Sequence, residues 1–160
     1  MVRRRAVAFI GYSNSGKTTL IRRLVEYFTA RSCSVAVAKH THHILRGHPG
    51  GDTDRFLDSG AVVTVLAGDT EAIVTRPTKE RERIVFSDPP ALVDALAADY
   101  VFIEGWKGRT DWPRIVVDRE EAEPLEFDVA TVKAIVTDRD VDLGIPRFRH
   151  DDIAGIADFV

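Results

Sequence analysis

The stretch Gly11-Tyr12-Ser13-Asn14-Ser15-Gly16-Lys17-Thr18 meets every fixed position of the spacing G-x-x-x-x-G-K-[ST]. Each residue type there answers a need of phosphate chemistry. Glycines admit backbone angles that turn N–H groups inward around phosphate oxygens. A helix that begins at this point adds its free N–H groups and the positive end of its dipole. Lys17 supplies a cation for the β and γ phosphates, and Thr18 a hydroxyl for Mg²⁺. Thr19 can reach a more internal phosphate. Gly11 to Thr19 are therefore the expected nucleotide-binding set.

Such a loop works with a carboxylate at the end of another buried strand, which holds the Mg²⁺ shell. "VFIEG" offers Glu104 after an apolar run. Aspartate is more usual there; glutamate is one methylene longer and can act through a water. The competing reading is an exposed strand-end carboxylate. Gly105 would let the backbone approach the γ phosphate. Asp52 and Asp54, in "GGDTDR", fall where many phosphate-loop proteins carry a switch loop touching Mg²⁺ or the attacking water. Both also suit a helix cap. Lys17, Glu104 and Asp52 are the catalytic candidates, with Thr18 and Glu104 as the Mg²⁺ pair.

His40, His42, His43 and His48 invite a metal reading. Their spacing does not put three imidazoles on one helical face, and no cysteine is nearby. That favours a solvated loop or contact with an anionic ligand, which partly protonated histidines can bind.

The elements that must position these residues are legible as patterns. "RAVAFIG" reads as a buried strand ending in glycine. Residues 17–30 carry Leu20, Ile21, Leu24, Val25 and Phe28 at helical period. Residues 34–39 read as a strand, 40–52 as a loop and "TDRFLDSG" as a short helix ending at Gly60. Residues 61–68 and 71–76 read as consecutive strands, "PTKERER" as a charged connection and 84–87 as a short strand. "SDPPALVDALAADY" has cap candidates and first-turn prolines, so it reads as a helix. Residues 99–105, 114–119 and 133–138 read as strands. The last ten read as a helix with Ile153, Ile156 and Val160 inward. Alternation of strands and helices predicts one α/β domain over residues 1–160, a three-layer sandwich on a mostly parallel, partly mixed sheet.

Composition sets bounds on this. The chain has 160 residues, enough for one core. A net charge of −3, from 22 basic and 25 acidic residues, argues against a broad nucleic-acid surface. The single cysteine, Cys33, forms no intrachain disulfide and excludes a Cys-rich zinc site. No apolar run approaches the roughly 18 residues that span a bilayer. The arginine-led start is followed by too short an apolar stretch for a signal peptide, so the expected location is the cytoplasm.

Taken together, "GYSNSGKTTL", "VAVAKHTHH", "DTDRFLDSGA", "VFIEGWK" and "PRIVV" resemble the MobB proteins of molybdenum cofactor biosynthesis, in order and from about residue 5 to about residue 140. The resemblance implies a phosphate-loop fold of the dimer-forming GTPase group that binds GTP with Mg²⁺ and hydrolyses it weakly. It implies an accessory role in attaching GMP to molybdopterin, the transfer belonging to a partner nucleotidyltransferase, MobA. It further implies a homodimer. By position, Lys39, His40, His42, His43, Asp52, Asp54, Arg55 and Lys107, with Arg114, would line the cleft facing nucleotide or pterin.

GTPases often read guanine with an [NT]-K-x-D segment. This chain has "VTDRD" at 136–140 without the lysine, which makes Asp138 the guanine candidate. No glutamine follows Glu104-Gly105 to orient a water, in keeping with slow turnover. The candidates for charge at the γ phosphate are Lys107, Arg109 or a residue from a second subunit. Two other classes remain open at this point. A small-molecule kinase would want an arginine-bearing lid, for which "TRPTKERERI" is poorly suited. A nucleotide-dependent metallochaperone would use the histidine loop.

Overall fold

The computed structural model describes residues 5–46 and 49–160; His48 lies outside the described residues. In chain order the strands are β1 (Arg5–Ile10), β2 (Val35–His40), β3 (Val63–Ala67), β4 (Glu71–Thr75), β5 (Arg81–Val85), β6 (Tyr100–Glu104), β7 (Arg114–Val117), β8 (Ala134–Val136) and β9 (Arg147–Phe148). The helices are α1 (Lys17–Thr29), α2 (Asp52–Asp58), α3 (Pro89–Asp94) and α4 (Ile153–Phe159), with a 3-10 turn at Val129–Thr131. The sheet order is β5-β4-β3-β2-β6-β1-β7-β8-β9. The seven strands from β3 to β9 in that order are parallel, and β4 and β5 join antiparallel at one edge. The mostly parallel, mixed sheet matches expectation.

Alternation along the strands builds two different faces. Val7, Phe9, Val35, Val37, Phe102, Ile115 and Val117 form one, packed under α1, α2 and α4. All five apolar residues expected inward on α1 are buried. Ile156 of α4 is fully buried, with Ile153 and Val160 partly buried against the same core. The other face is paved with Ala8, Ala36, Ala38, Ala67 and Ala72 and covered by α3, Trp106 and Trp112. Small residues on this side leave room for two indoles close to the sheet.

Strands β1, β2 and β6 share register, Phe9 and Lys39 both lying opposite Glu104. Their carboxyl ends therefore present the phosphate loop, Lys39 and Glu104 side by side. At the opposite end, the Asp99 carboxylate accepts from both the backbone N–H and the hydroxyl of Ser34, each at 2.8 Å. These bonds hold its pKa below the ordinary carboxylate value. A lowered folded-state pKa gives stability that is present above the unfolded value and lost as pH falls through the folded one. We expect Asp99→Asn to flatten the part of the acid-unfolding curve below about pH 4, read by circular dichroism. An unchanged curve would show that the bonds carry no linkage.

Two segments differ from expectation. Arg81, Glu82 and Arg83 are not a connection but the start of β5. An edge strand tolerates charge because one side is unpaired and must resist further pairing. Here Arg83 donates across the strand pair to Glu71 at 3.0 Å. The two-residue strand β9 is too short to leave a periodic signal, yet it extends the sheet through Ile135 N–H to Pro146 O and Thr137 N–H to Phe148 O.

Candidate functional site

A cleft of about 1010 Å³ opens at the carboxyl ends of β1, β2 and β6, lined by residues of the phosphate loop, the segment after β2 and the segment after β6. Gly16, at φ +94°, and Asn14, at φ +63°, are in the left-handed region, so the loop turns its N–H groups to one side before α1 begins. Gly11 is fixed by close approach: a Cβ there would lie 2.2 Å from the Val117 carbonyl oxygen. Ser15 is buried, and its hydroxyl has no partner among the described residues.

Lys17 reaches back over the loop, its ammonium donating to the carbonyls of Gly11 at 2.9 Å and Tyr12 at 2.7 Å. Burial holds its pKa below the ordinary lysine value; the Glu104 charge opposes this, while Lys107 and Lys39 reinforce it. The Lys107 ammonium lies 4.7 Å over the Tyr12 ring. Three lysines, Lys17, Lys39 and Lys107, thus meet at the cleft.

Glu104 is only 5% exposed, so the exposed-carboxylate reading fails. Its Oε1 accepts from the Thr18 hydroxyl at 2.8 Å and lies 3.6 Å from the Lys39 ammonium. Its Oε2 is buried and has no hydrogen-bond partner among the described residues. Lys39 also pairs with Asp52, whose other oxygen faces Arg55 at 3.6 Å. These residues suit Mg²⁺. The donors are hard oxygens, one carboxylate oxygen is unsatisfied, and the Thr18–Glu104 separation approximates the roughly 3 Å edge of an octahedron with bonds near 2.1 Å.

The far wall is aromatic. His40 stacks on Trp106, with centroids 4.9 Å apart and planes 16° from parallel, and meets the edge of His42 at 4.5 Å. Burial lowers the His40 pKa, opposed by its contact with Asp69. Gly105, at φ +100°, fits against His40, since a Cβ would sit 3.3 Å from His40 Cβ and O. Gly105 thus packs tightly on His40 while also lining the cleft. His43 lines the same cleft.

Arg55 is outside the cleft lining, reached only through its contact with Asp52, and three further sequence candidates stand elsewhere. Asp54 is buried on α2, accepting from Gly50 N–H at 2.7 Å and from Arg81 through both carboxylate oxygens at 2.9 Å. It ties α2 to β5 and does not face the cleft. Arg114 does not line the cleft either. It is buried and donates to the Lys107 carbonyl at 2.9 Å and to Thr131, so it holds the segment that carries Lys107. Asp138, after β8, lies outside the cleft lining and accepts from Glu120 N–H at 2.7 Å, which lowers its pKa. Sequence reasoning missed Trp106 and Arg119. The Arg119 guanidinium covers Gly16, with Nε 2.8 Å from where a Cβ would be; this Nε is buried and has no partner among the described residues. No spacing rule marks an arginine one strand away as a neighbour of the phosphate loop.

The sequence model of the family described as "MobB: Molybdopterin guanine dinucleotide synthesis protein B" matches residues 6–138. Among curated relatives, the "Molybdopterin-guanine dinucleotide biosynthesis adapter protein" of Escherichia coli (strain K12) is 29% identical over 159 residues, covering 96% of this chain and 90% of that protein. The protein of the same name from Haemophilus influenzae is 32% identical over 160 residues, covering 94% of this chain and 84% of that protein. Among solved structures, the crystal structure of Bacillus subtilis MobB superposes with a TM-score of 0.60 at 24% identity, covering 97% of this chain and 94% of that one, which bears on the fold. On the family match, the chain belongs to the MobB family.

Proposed function

We propose that the protein is a cytoplasmic adapter in the making of molybdopterin guanine dinucleotide, binding GTP with Mg²⁺ and hydrolysing it slowly while a MobA-type nucleotidyltransferase transfers GMP to molybdopterin. The observation that carries this reading is the buried Glu104 carboxylate, bonded to Thr18 of the phosphate loop and keeping one oxygen unsatisfied. Thr18 and Glu104 would hold Mg²⁺, which when bound neutralises charge on the β and γ phosphates. Lys17 binds those phosphates in place of its present carbonyl partners. Asp52, tied to Glu104 through Lys39, is suited to orient water.

The sheet order supports a direction for the nucleotide. Glu104 lies on β6, on one side of β1, so the Mg²⁺ end of the triphosphate belongs there. The nucleoside then runs toward β7 and β8, where Arg119 and the ionised Asp138 stand. A carboxylate there can accept from the N1 and N2 donors of guanine. Lys39, His40, His42, His43 and Lys107 offer cationic and aromatic contacts for the pterin and its phosphate.

Calorimetry comparing GTP, ATP and molybdopterin on one preparation tests the reading. GTP should bind more tightly than ATP, and molybdopterin should bind measurably. ATP preference, or stoichiometric phosphorylation of an acceptor, would sink it. The proposed homodimer is checked by light scattering with and without GTP.

A further inference from the structure

Three metal-ligating side chains come together at the lip of the cleft. His40 closes β2, His42 follows two residues later, and Asp69 sits in the tight turn between β3 and β4. One ligand atom from each lies within 4.8 Å of the others. His40 Nε2 and Asp69 Oδ1 are 3.5 Å apart, close to the roughly 3.3 Å edge of a tetrahedron with bonds near 2.0 Å. We propose that His40, His42 and Asp69 form a binding site for a divalent first-row transition ion of the zinc class, distinct from the Mg²⁺ position at Thr18 and Glu104.

The ligand set has the right chemistry for that class and the wrong chemistry for Mg²⁺. Two imidazoles and one carboxylate suit borderline ions, whereas Mg²⁺ selects oxygen donors. The site is also pre-organised on one side. His40 is held by its stack on Trp106 and by Gly105 at its Cβ, and its side chain is 7% exposed. The turn that carries Asp69 is pinned by Gly68 N–H to Glu71 O at 2.8 Å, and β2 is joined to β3 beside it by Thr41 N–H to Ala67 O at 2.9 Å. His42 and Asp69 are exposed, so their side chains have room to turn toward an ion held by His40. Three protein ligands leave at least one position open, the arrangement of a site that exchanges a ligand rather than one that only braces a fold. Asp69 comes from a turn nearly thirty residues beyond the histidines, which is why the histidine spacing by itself argued against a metal.

The test uses the full chain with Zn²⁺, and with Co²⁺ as a spectroscopic probe, in excess Mg²⁺ to occupy oxygen-only sites. One equivalent of Zn²⁺ should bind by calorimetry, and Co²⁺ should give visible ligand-field absorption. His42→Ala and Asp69→Asn, both at exposed positions, should each weaken binding by roughly 10-fold or more and bleach the Co²⁺ bands. Lys17→Ala should leave Zn²⁺ affinity as it was while weakening triphosphate binding by roughly 100-fold, so this site and the nucleotide site fail or stand separately. Absence of stoichiometric binding, or binding that survives in the double variant His42→Ala/Asp69→Asn, would overturn the proposal.

Discussion

Lys17→Ala should lower affinity for GTP with Mg²⁺ by roughly 100-fold, about 3 kcal/mol. The side chain is the one cation of the phosphate loop itself, and charge-assisted hydrogen bonds to phosphate are the strong ones. In the structure it bonds the carbonyls of Gly11 and Tyr12, so it already sits within the curve of the loop and needs only a small swing to meet an oxyanion. Burial makes it a weaker base than an ordinary lysine. The wild-type affinity should therefore decline on the alkaline side before the usual lysine range near pH 10.4 is reached. Equilibrium titration across pH, with melting curves to confirm folding, checks both points. A folded variant that binds GTP like wild type would remove Lys17 from the site.

Glu104→Gln should abolish the dependence of GTP affinity on Mg²⁺ and slow hydrolysis by roughly 100-fold. The amide preserves the shape and can still accept from Thr18, so the loss isolates the charge. Folding should survive because Lys39 keeps Asp52 as a partner. The readout is a Mg²⁺ titration of GTP affinity alongside single-turnover hydrolysis. A Mg²⁺ response equal to wild type would mean that another group holds the ion.

The parts of the site that were legible in the sequence are those governed by local rules. The phosphate loop is a run of neighbours whose backbone angles, helix start and lysine are all set within eight residues. Glu104 was legible because an apolar run ending in a carboxylate is a strand pattern with few other uses. What stayed hidden depends on distant pairing. Asp54 reads as a switch residue until Arg81, twenty-seven positions on, is seen to claim it. Arg114 reads as a cleft residue until its strand register turns it to the alanine-paved face, beneath Lys107. Asp69 and Trp106 gain their meaning only from the order in which β2, β3 and β6 lie in the sheet. β5 was half-hidden for a related reason: charged residues on an edge strand follow solvent exposure and not the core's alternation.

Helix α2 has two attachments two positions apart. Asp52 faces the cleft and is held by Lys39 and Arg55, while Asp54 is buried against Arg81 on the outermost strand. A seven-residue helix is a stiff rod on this scale. One short helix therefore carries both a carboxylate of the cleft and a carboxylate anchored to the edge of the sheet. Lys39 on β2 and Arg81 on β5 lie three strands apart in the sheet, and α2 bridges them through these two aspartates.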